Sequence, residues 1–247
     1  MTRYFNQSPE TLTTTQFKSY LFHCKEHRKL SNSFINQTIS ALKILRQDVL
    51  SLPWDKELKI KRPRRHSPIP AILSKTEVLA LLEVTSNPKH KAILALLYSS
   101  GIRLNELLHL CPNDIDSDRM LIRINSGKGN KSRDTLLAKS TLDLLRAYYR
   151  YSHPKPKVWL FEGPQPGIPY TASSVSKLVK RSANKAGIKK EISAHSLRHA
   201  FATHMLEQGS NLKLIQKLLG HSSLRSTMVY LHLVSIDTSV KSPLDQR

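Results

Sequence analysis

The chain has 247 residues and carries 39 Lys and Arg against 18 Asp and Glu, a formal charge of +21; that length can bury a core as one large domain or two modest ones, and that charge favours a polyanion as partner. The charges are interleaved with apolar residues at helical spacing, which excludes a low-complexity basic tail. No apolar run approaches a spanning helix and the opening MTRYFNQSPE lacks a signal-peptide core, so the expectation is a soluble, cytoplasmic protein with no membrane partner.

In chain order, Phe17, Tyr20, Leu21 and Cys24 form one amphipathic helical stripe, and Ile35, Ile39, Leu42, Leu45 and Val49 form a second, with Ser33 as its candidate cap and Pro53 after its end. This predicts a small helical domain over 1–60. The stretch KIKRPRRHSPIP, 59–70, combines prolines with a dense positive run, so 61–70 reads as an extended linker, and Lys61, Arg62, Arg64 and Arg65 are candidate phosphate contacts. A second domain is expected over 71–247. Cys24 and Cys111 are too far apart in sequence to found a zinc site or a disulfide framework and read as small core hydrophobes.

After the linker, Ser74 and Glu77 form a capping-box pattern, and His90 to Ser99 is a strongly apolar helix ended by Gly101. The helical pattern resumes at Leu104, leaving Arg103 at a corner. Met120, Ile122 and Ile124 then alternate with Leu121, Arg123 and Asn125, and SGKGNKSRD turns into Thr135, Leu136 and Leu137, which predicts a β-hairpin with Lys128 near its tip and Lys131 and Arg133 as further DNA-contact candidates. Helices follow over 140–151 and 171–186, with a short VWLF strand, Val158 to Phe161, between them. The last predicted elements are a helix over 194–208, a helix over 212–219 closed by Gly220, and a short helical piece containing Tyr230. The fold class expected is mainly α with a small antiparallel β-sheet, in two domains.

Singly, the polar residues of this second domain have ordinary readings. Arg103 could pair with Glu106 one turn along, Lys128 could be a solvated hairpin charge, His221 could interact with a helix C-terminus, and Tyr230 could be a packing residue. Together, two guanidiniums, an ammonium, two imidazoles and a phenol are the groups needed to hold and cleave a phosphodiester with no metal and no cofactor. Arg103 and Arg198 suit the phosphorane oxygens, Tyr230 the attack on phosphorus, and Lys128 protonation of the leaving 5′-oxygen; local positive potential and His195 are the two sources of help for the phenol's deprotonation.

The motifs GIRLNEL, GKGNKSR, HSLRHAFATHML, LLGH and VY stand in this order from about Leu73 to Leu233. They resemble the successive signature boxes of the tyrosine recombinase (phage integrase) family, especially its Xer-like site-specific recombinases. The resemblance implies a catalytic hexad of Arg103, Lys128, His195, Arg198, His221 and Tyr230, with Glu106 as a supporting acid. It also implies a short SAM-like N-terminal core-binding domain that completes a clamp on double-stranded DNA recombination sites. Cleavage would leave a 3′-phosphotyrosyl link and a free 5′-hydroxyl, with no ATP required. A tetramer on DNA would exchange strands through a Holliday junction, with accessory DNA-bending proteins as a further partner class. Fewer N-terminal helices are visible than relatives usually supply, so a minimal clamp is expected. The segment 231–247 corresponds to a tail that related enzymes dock on a neighbouring subunit.

Three other readings use some of the same residues. A type IB topoisomerase shares the chemistry but acts as a monomer, and a non-catalytic DNA-binding protein needs only the basic helices. A metal-dependent hydrolase would use His195 and His199 at i, i+4, but the intervening Ser196, Leu197 and Arg198 lack the Glu of an HExxH motif and add a repelling charge.

Overall fold

The computed structural model describes residues 1–52, 62–63, 72–125 and 132–233. The chain divides into two compact units, Met1–Ile69 and Pro70–Arg247. Among the described residues no helix is long and apolar enough to cross a membrane.

Among the described residues the N-terminal unit holds three α-helices, α1 (Thr2–Phe5), α2 (Thr14–Phe22) and α3 (Asn32–Ile44). A reciprocal cap starts α2: Thr13 Oγ1 accepts from the Gln16 amide at 3.3 Å and Gln16 Oε1 accepts from the Thr13 amide at 2.8 Å. Ser31, not Ser33, caps α3, because Ser31 has the extended backbone of a cap and its Oγ accepts from the Phe34 amide at 3.2 Å. Each long helix runs on into a π-helical turn, His23–His27 and Leu45–Val49. The extra residue in such a turn rotates the stripe, so Val49, expected inside, is exposed while Ile35, Ile39 and Leu42 are buried. Cys24 is buried with Leu21, Ile35 and Ile39. In the linker, the Pro63 carbonyl accepts from Asn36 Nδ2 at 3.0 Å and Arg62 Nη1 donates to Ser40 Oγ at 3.2 Å, so these two residues lie on α3.

The second unit is built around α5 (Pro88–Ser100), which is apolar on all sides in sequence and correspondingly buried, with Ile93, Leu94, Leu96 and Leu97 fully inaccessible. Before it stands α4 (Lys75–Glu83), held at its start by the reciprocal Ser74–Glu77 cap. After it come α6 (Leu104–Leu108) and a three-stranded antiparallel sheet, β1 (Ile115–Asp116), β2 (Leu121–Ile124) and β3 (Arg133–Leu136), in that order. The hairpin is thus extended by β1, a strand too short to show alternation in the sequence. Ile122 pairs with Thr135 and Ile124 with Arg133, which puts Arg133 on the same face as buried Ile122, Ile124 and Thr135. The tip, 126–131, lies outside the described residues, and with it Lys128 and Lys131; so do Lys61, Arg64 and Arg65.

Then follow α7 (Lys139–Tyr151), α8 (Ala172–Lys185), α9 (Ala194–Glu207), α10 (Leu212–Leu219), α11 (Arg225–Met228) and a 3₁₀ turn over Val229–Leu233. Both α7 and α9 pack on α5. The VWLF segment is not a strand. Glu162 Oε1 gathers the amides of Lys157, Val158 and Trp159 at 3.0, 2.9 and 3.4 Å, and its Oε2 that of Gly167 at 3.1 Å, so the N–H groups a ladder would use curl around one carboxylate. Burial opposes ionisation, but those four donors prevail and hold the Glu162 pKa down to about 2. Cys111 is half-buried and precedes the turn that leads into β1, so it is not the core residue its composition suggested.

Candidate active site

The C-terminus of α10 organises the site. A helix leaves its last carbonyls without intrahelical partners and carries partial negative charge there. Here three consecutive carbonyls each accept from a different arginine: Leu218 from Arg133 Nε at 2.9 Å, Leu219 from Arg198 Nη2 at 2.8 Å, and Gly220 from Arg103 Nη2 at 2.9 Å. The three arginines come from β3, α9 and the loop ahead of α6. Gly220 ends α10 with φ +61°, and a Cβ there would stand 2.7 Å from Arg133 Cδ, so a side chain would push the guanidinium away.

Arg198 is 1 % exposed, the largest of the fully buried side chains. A second helix end helps hold it: Nη1 donates to the carbonyl of Gly101, the residue that closes α5, at 2.5 Å. Burying a guanidinium costs several kcal/mol unless its donors are met, and two helix C-termini meet them here. Burial first, and then the neighbouring Arg103 charge, lower its pKa to about 10, which leaves it cationic at neutral pH. Among the described residues its Nε has no hydrogen-bond partner, so one donor of a buried cation stays uncommitted.

Glu106 ties the other two arginines together. Its Oε1 accepts from Arg103 Nη1 at 2.8 Å and from Arg133 Nη1 at 2.8 Å, and its Oε2 accepts from Arg133 Nη2 at 2.7 Å and from the Arg103 amide at 2.8 Å. The last of these caps α6. Burial opposes ionisation of this carboxyl, but the hydrogen bonds from Arg133 and Arg103 prevail and its pKa falls to about 2. Arg133, expected among the DNA contacts, therefore has its Nε, Nη1 and Nη2 engaged inside the protein, on the buried face of the sheet.

His221 follows Gly220 directly. Its Nε2 lies 3.0 Å from Arg198 Nη2 and its Nδ1 2.9 Å from the hydroxyl of buried Thr227. Since a guanidinium can only donate, Nε2 accepts and Nδ1 carries the proton toward Thr227. Burial, and then Arg198, Arg103 and Arg133, depress its pKa to about 4, in keeping with a neutral ring. The Tyr230 ring stacks nearly parallel to His221, with centroids 6.3 Å apart and planes at 10°.

Tyr230 is 2 % exposed and packs with Phe201, Ile215, Leu218 and Leu219. Its hydroxyl lies 3.0 Å from His199 Nδ1. Burial raises the phenol pKa while Arg198 and Arg103 act to lower it, and burial wins. His195, the imidazole expected to serve the phenol, is exposed one turn earlier on α9 and meets the His199 ring edge-on, at 4.3 Å and 79°. The structure thus brings together Arg103, Glu106, Arg198, His221 and Tyr230 with His195 at the rim, and adds two residues not expected there, Arg133 and His199. The parity of Arg133 with Thr135 along β3 was a usable signal for the first. The i, i+4 spacing of His195 and His199 on α9 was one for the second, although it suggested a metal rather than a phenol.

Residues 71–235 match the phage integrase family. A Sinorhizobium fredii protein that bears the name integrase/recombinase is 36 % identical over 94 % of this chain and 75 % of its own length. Tyrosine recombinase XerA of Thermococcus kodakarensis is 35 % identical, over 85 % of this chain and 74 % of its own. In three dimensions, XerH site-specific recombinase bound to palindromic difH substrate, a post-cleavage complex, is similar with TM-score 0.74 and 25 % identity, covering 91 % of this chain and 70 % of that one. The match over residues 71–235, which hold all the site residues described above, and relatives that align along nearly the full chain, establish that this protein belongs to the phage integrase family of tyrosine recombinases.

Proposed function

We propose that the chain cuts and rejoins DNA at specific sites with Tyr230 as nucleophile. The phenol oxygen attacks a backbone phosphorus, the bond to the 5′-oxygen breaks, and a 3′-phosphotyrosyl link and a free 5′-hydroxyl result. Religation reverses the step with a 5′-hydroxyl from another strand, so the phosphodiester energy is kept in the adduct and ATP is not needed. The observation that carries this reading is the convergence of Arg103 and Arg198 on the end of α10, next to the Tyr230 ring.

In this reading Arg103 and the uncommitted Nε of Arg198 meet the non-bridging oxygens as their charge grows, and His221 orients the Arg198 guanidinium through Nε2. The arginines are already fixed by helix-end carbonyls, so the donors themselves need little rearrangement, but Arg198 and Tyr230 are buried and the phosphate reaches them only after the residues over them move aside. Lys128 is the proposed acid for the 5′-oxygen. The N-terminal unit and the basic linker complete the grip on duplex DNA, four copies assemble on two sites in the cytoplasm, and DNA-bending proteins assist. A nicked suicide duplex carrying the DNA that flanks the protein's own gene tests this: a covalent protein–DNA band on a denaturing gel is expected, and its absence under conditions of tight binding would count against the proposal.

A further inference from the structure

Tyr230 must lose a proton to become a nucleophile, and the group at its hydroxyl is His199. The Nδ1···Oη distance is 3.0 Å and the ring centroids are 5.3 Å apart at 58°. This pair sits at the edge of the Phe201–Leu219 cluster, with the phenol buried and the imidazole half-buried. His195 and Arg198 face His199 from its own helix, Tyr230 faces it from the C-terminal turn, and Arg103 and His221 carry or border the positive charge across the site. Among the described residues no carboxylate is hydrogen-bonded to the phenol.

We propose that His199 Nδ1 accepts the Tyr230 proton as the phenol oxygen bonds to phosphorus, which makes His199 a catalytic residue on the nucleophile side. This rests on the reading of Tyr230 as nucleophile. The bookkeeping of the step is complete: the Oη–H bond breaks, Nδ1–H and Oη–P form, P–O5′ breaks, and the leaving oxygen takes its proton from a separate acid. Religation returns the proton from Nδ1 to Oη.

Two physical points support the direction of transfer. Burial, followed by the charges of His195 and Arg198, lowers the pKa of His199 to about 4, so the ring is neutral and can accept. Transfer is uphill while the phenol is free, and becomes favourable only as Oη donates its electrons to phosphorus and a phosphate anion stands beside the imidazolium. The proton therefore leaves when DNA is in place and not before.

The test uses the full-length protein and two duplexes cleaved by the wild type at the same position, one with the natural oxygen and one with a 5′-bridging sulfur, whose thiolate leaves without a proton. His199→Ala and His199→Gln are compared with wild type and Lys128→Ala across the neutral pH range. Gln keeps a hydrogen-bond partner for the phenol, and so stands in if the Ala variant folds poorly. Both His199 variants are expected to form adduct about a hundredfold more slowly on oxygen and sulfur duplexes alike, whereas sulfur restores Lys128→Ala. Three results would overturn the inference: a Gln variant near the wild-type rate, which would reduce His199 to holding the ring; recovery of the His199 variants on sulfur, which would move it to the leaving group; or a pH profile unchanged by either variant. Failure of the wild type itself to form an adduct at Tyr230 would instead overturn the reading of the nucleophile.

Discussion

Arg133 and Glu106 meet fork to fork, Nη1 on Oε1 at 2.8 Å and Nη2 on Oε2 at 2.7 Å, with side chains 9 % and 3 % exposed. The same carboxylate holds Arg103, and the same arginine holds α10 through the Leu218 carbonyl. One ion pair thus links the sheet, the α6 corner and the helix whose end gathers the site.

Removing Arg133 leaves Glu106 buried with half its partners. Arg133→Ala is expected to lower unfolding stability by about 2–4 kcal/mol, near the range for a broken buried pair, and Arg133→Lys to recover little of it, because an ammonium cannot span both oxygens and reach Leu218. Urea unfolding of both variants checks this; wild-type stability in Arg133→Ala would mean that the pair does not brace the unit.

Gly101 closes α5 at φ +60°, its carbonyl receives Arg198, and an added Cβ would lie 2.3 Å from Phe201 Cδ1. Gly101→Ala combines left-handed strain with overpacking, so a loss of about 2–4 kcal/mol is expected. Thermal melts should show it as a clear fall in Tm, and an unchanged Tm would show that the contact relaxes freely.

Acid should weaken the second unit in two steps. His199 and His221 have folded pKa values of about 4, below the ordinary 6.5, so between those values the unfolded chain binds more protons and stability falls as pH drops. Glu106 and Glu162, both at about 2 against 4.5, add a further loss as pH falls through that lower window. Melts at successive pH values should show both; replacing Glu106 with Gln should make the lower window shallower without abolishing it, since Glu162 remains, and an unchanged slope would assign that loss to other carboxylates.

What was legible in the sequence was local. The Ser74–Glu77 cap, the all-round apolar α5 and the glycine closing α10 are encoded within a few neighbouring residues, and each formed as expected. The boxes GIRLNEL, HSLRHAFATHML and LLGH marked the chemistry because residue types at fixed spacing survive without coordinates. Contacts made through space did not show. Nothing in the order of residues says that carbonyls 218–220 would receive Arg133, Arg198 and Arg103, since backbone acceptors are the same in every sequence. The VWLF run looked like a strand because it is β-branched and aromatic, but the Glu162 carboxylate offered its amides a closer acceptor. His199 was weighed as a metal ligand because its relation to Tyr230, 31 residues on, exists only after α9 and the last turn have packed.

Replacing Arg198 with Lys keeps a charge but not the reach to Gly101, Leu219 and His221 at once. Cleavage is expected to slow by roughly a hundredfold to a thousandfold, the loss typical of one strong oxyanion donor, and the same range is expected for Arg103→Lys. Single-turnover cleavage with duplex affinity measured alongside checks this; a change of only a few-fold would remove that arginine from the transition state.

The most direct measurement is to digest the covalent protein–DNA adduct and locate the nucleotide-bearing peptide by mass spectrometry. The expected result is a phosphodiester on Tyr230, and no adduct from Tyr230→Phe at unchanged duplex affinity. An adduct carried by another residue, or formed normally by Tyr230→Phe, would contradict the central claim.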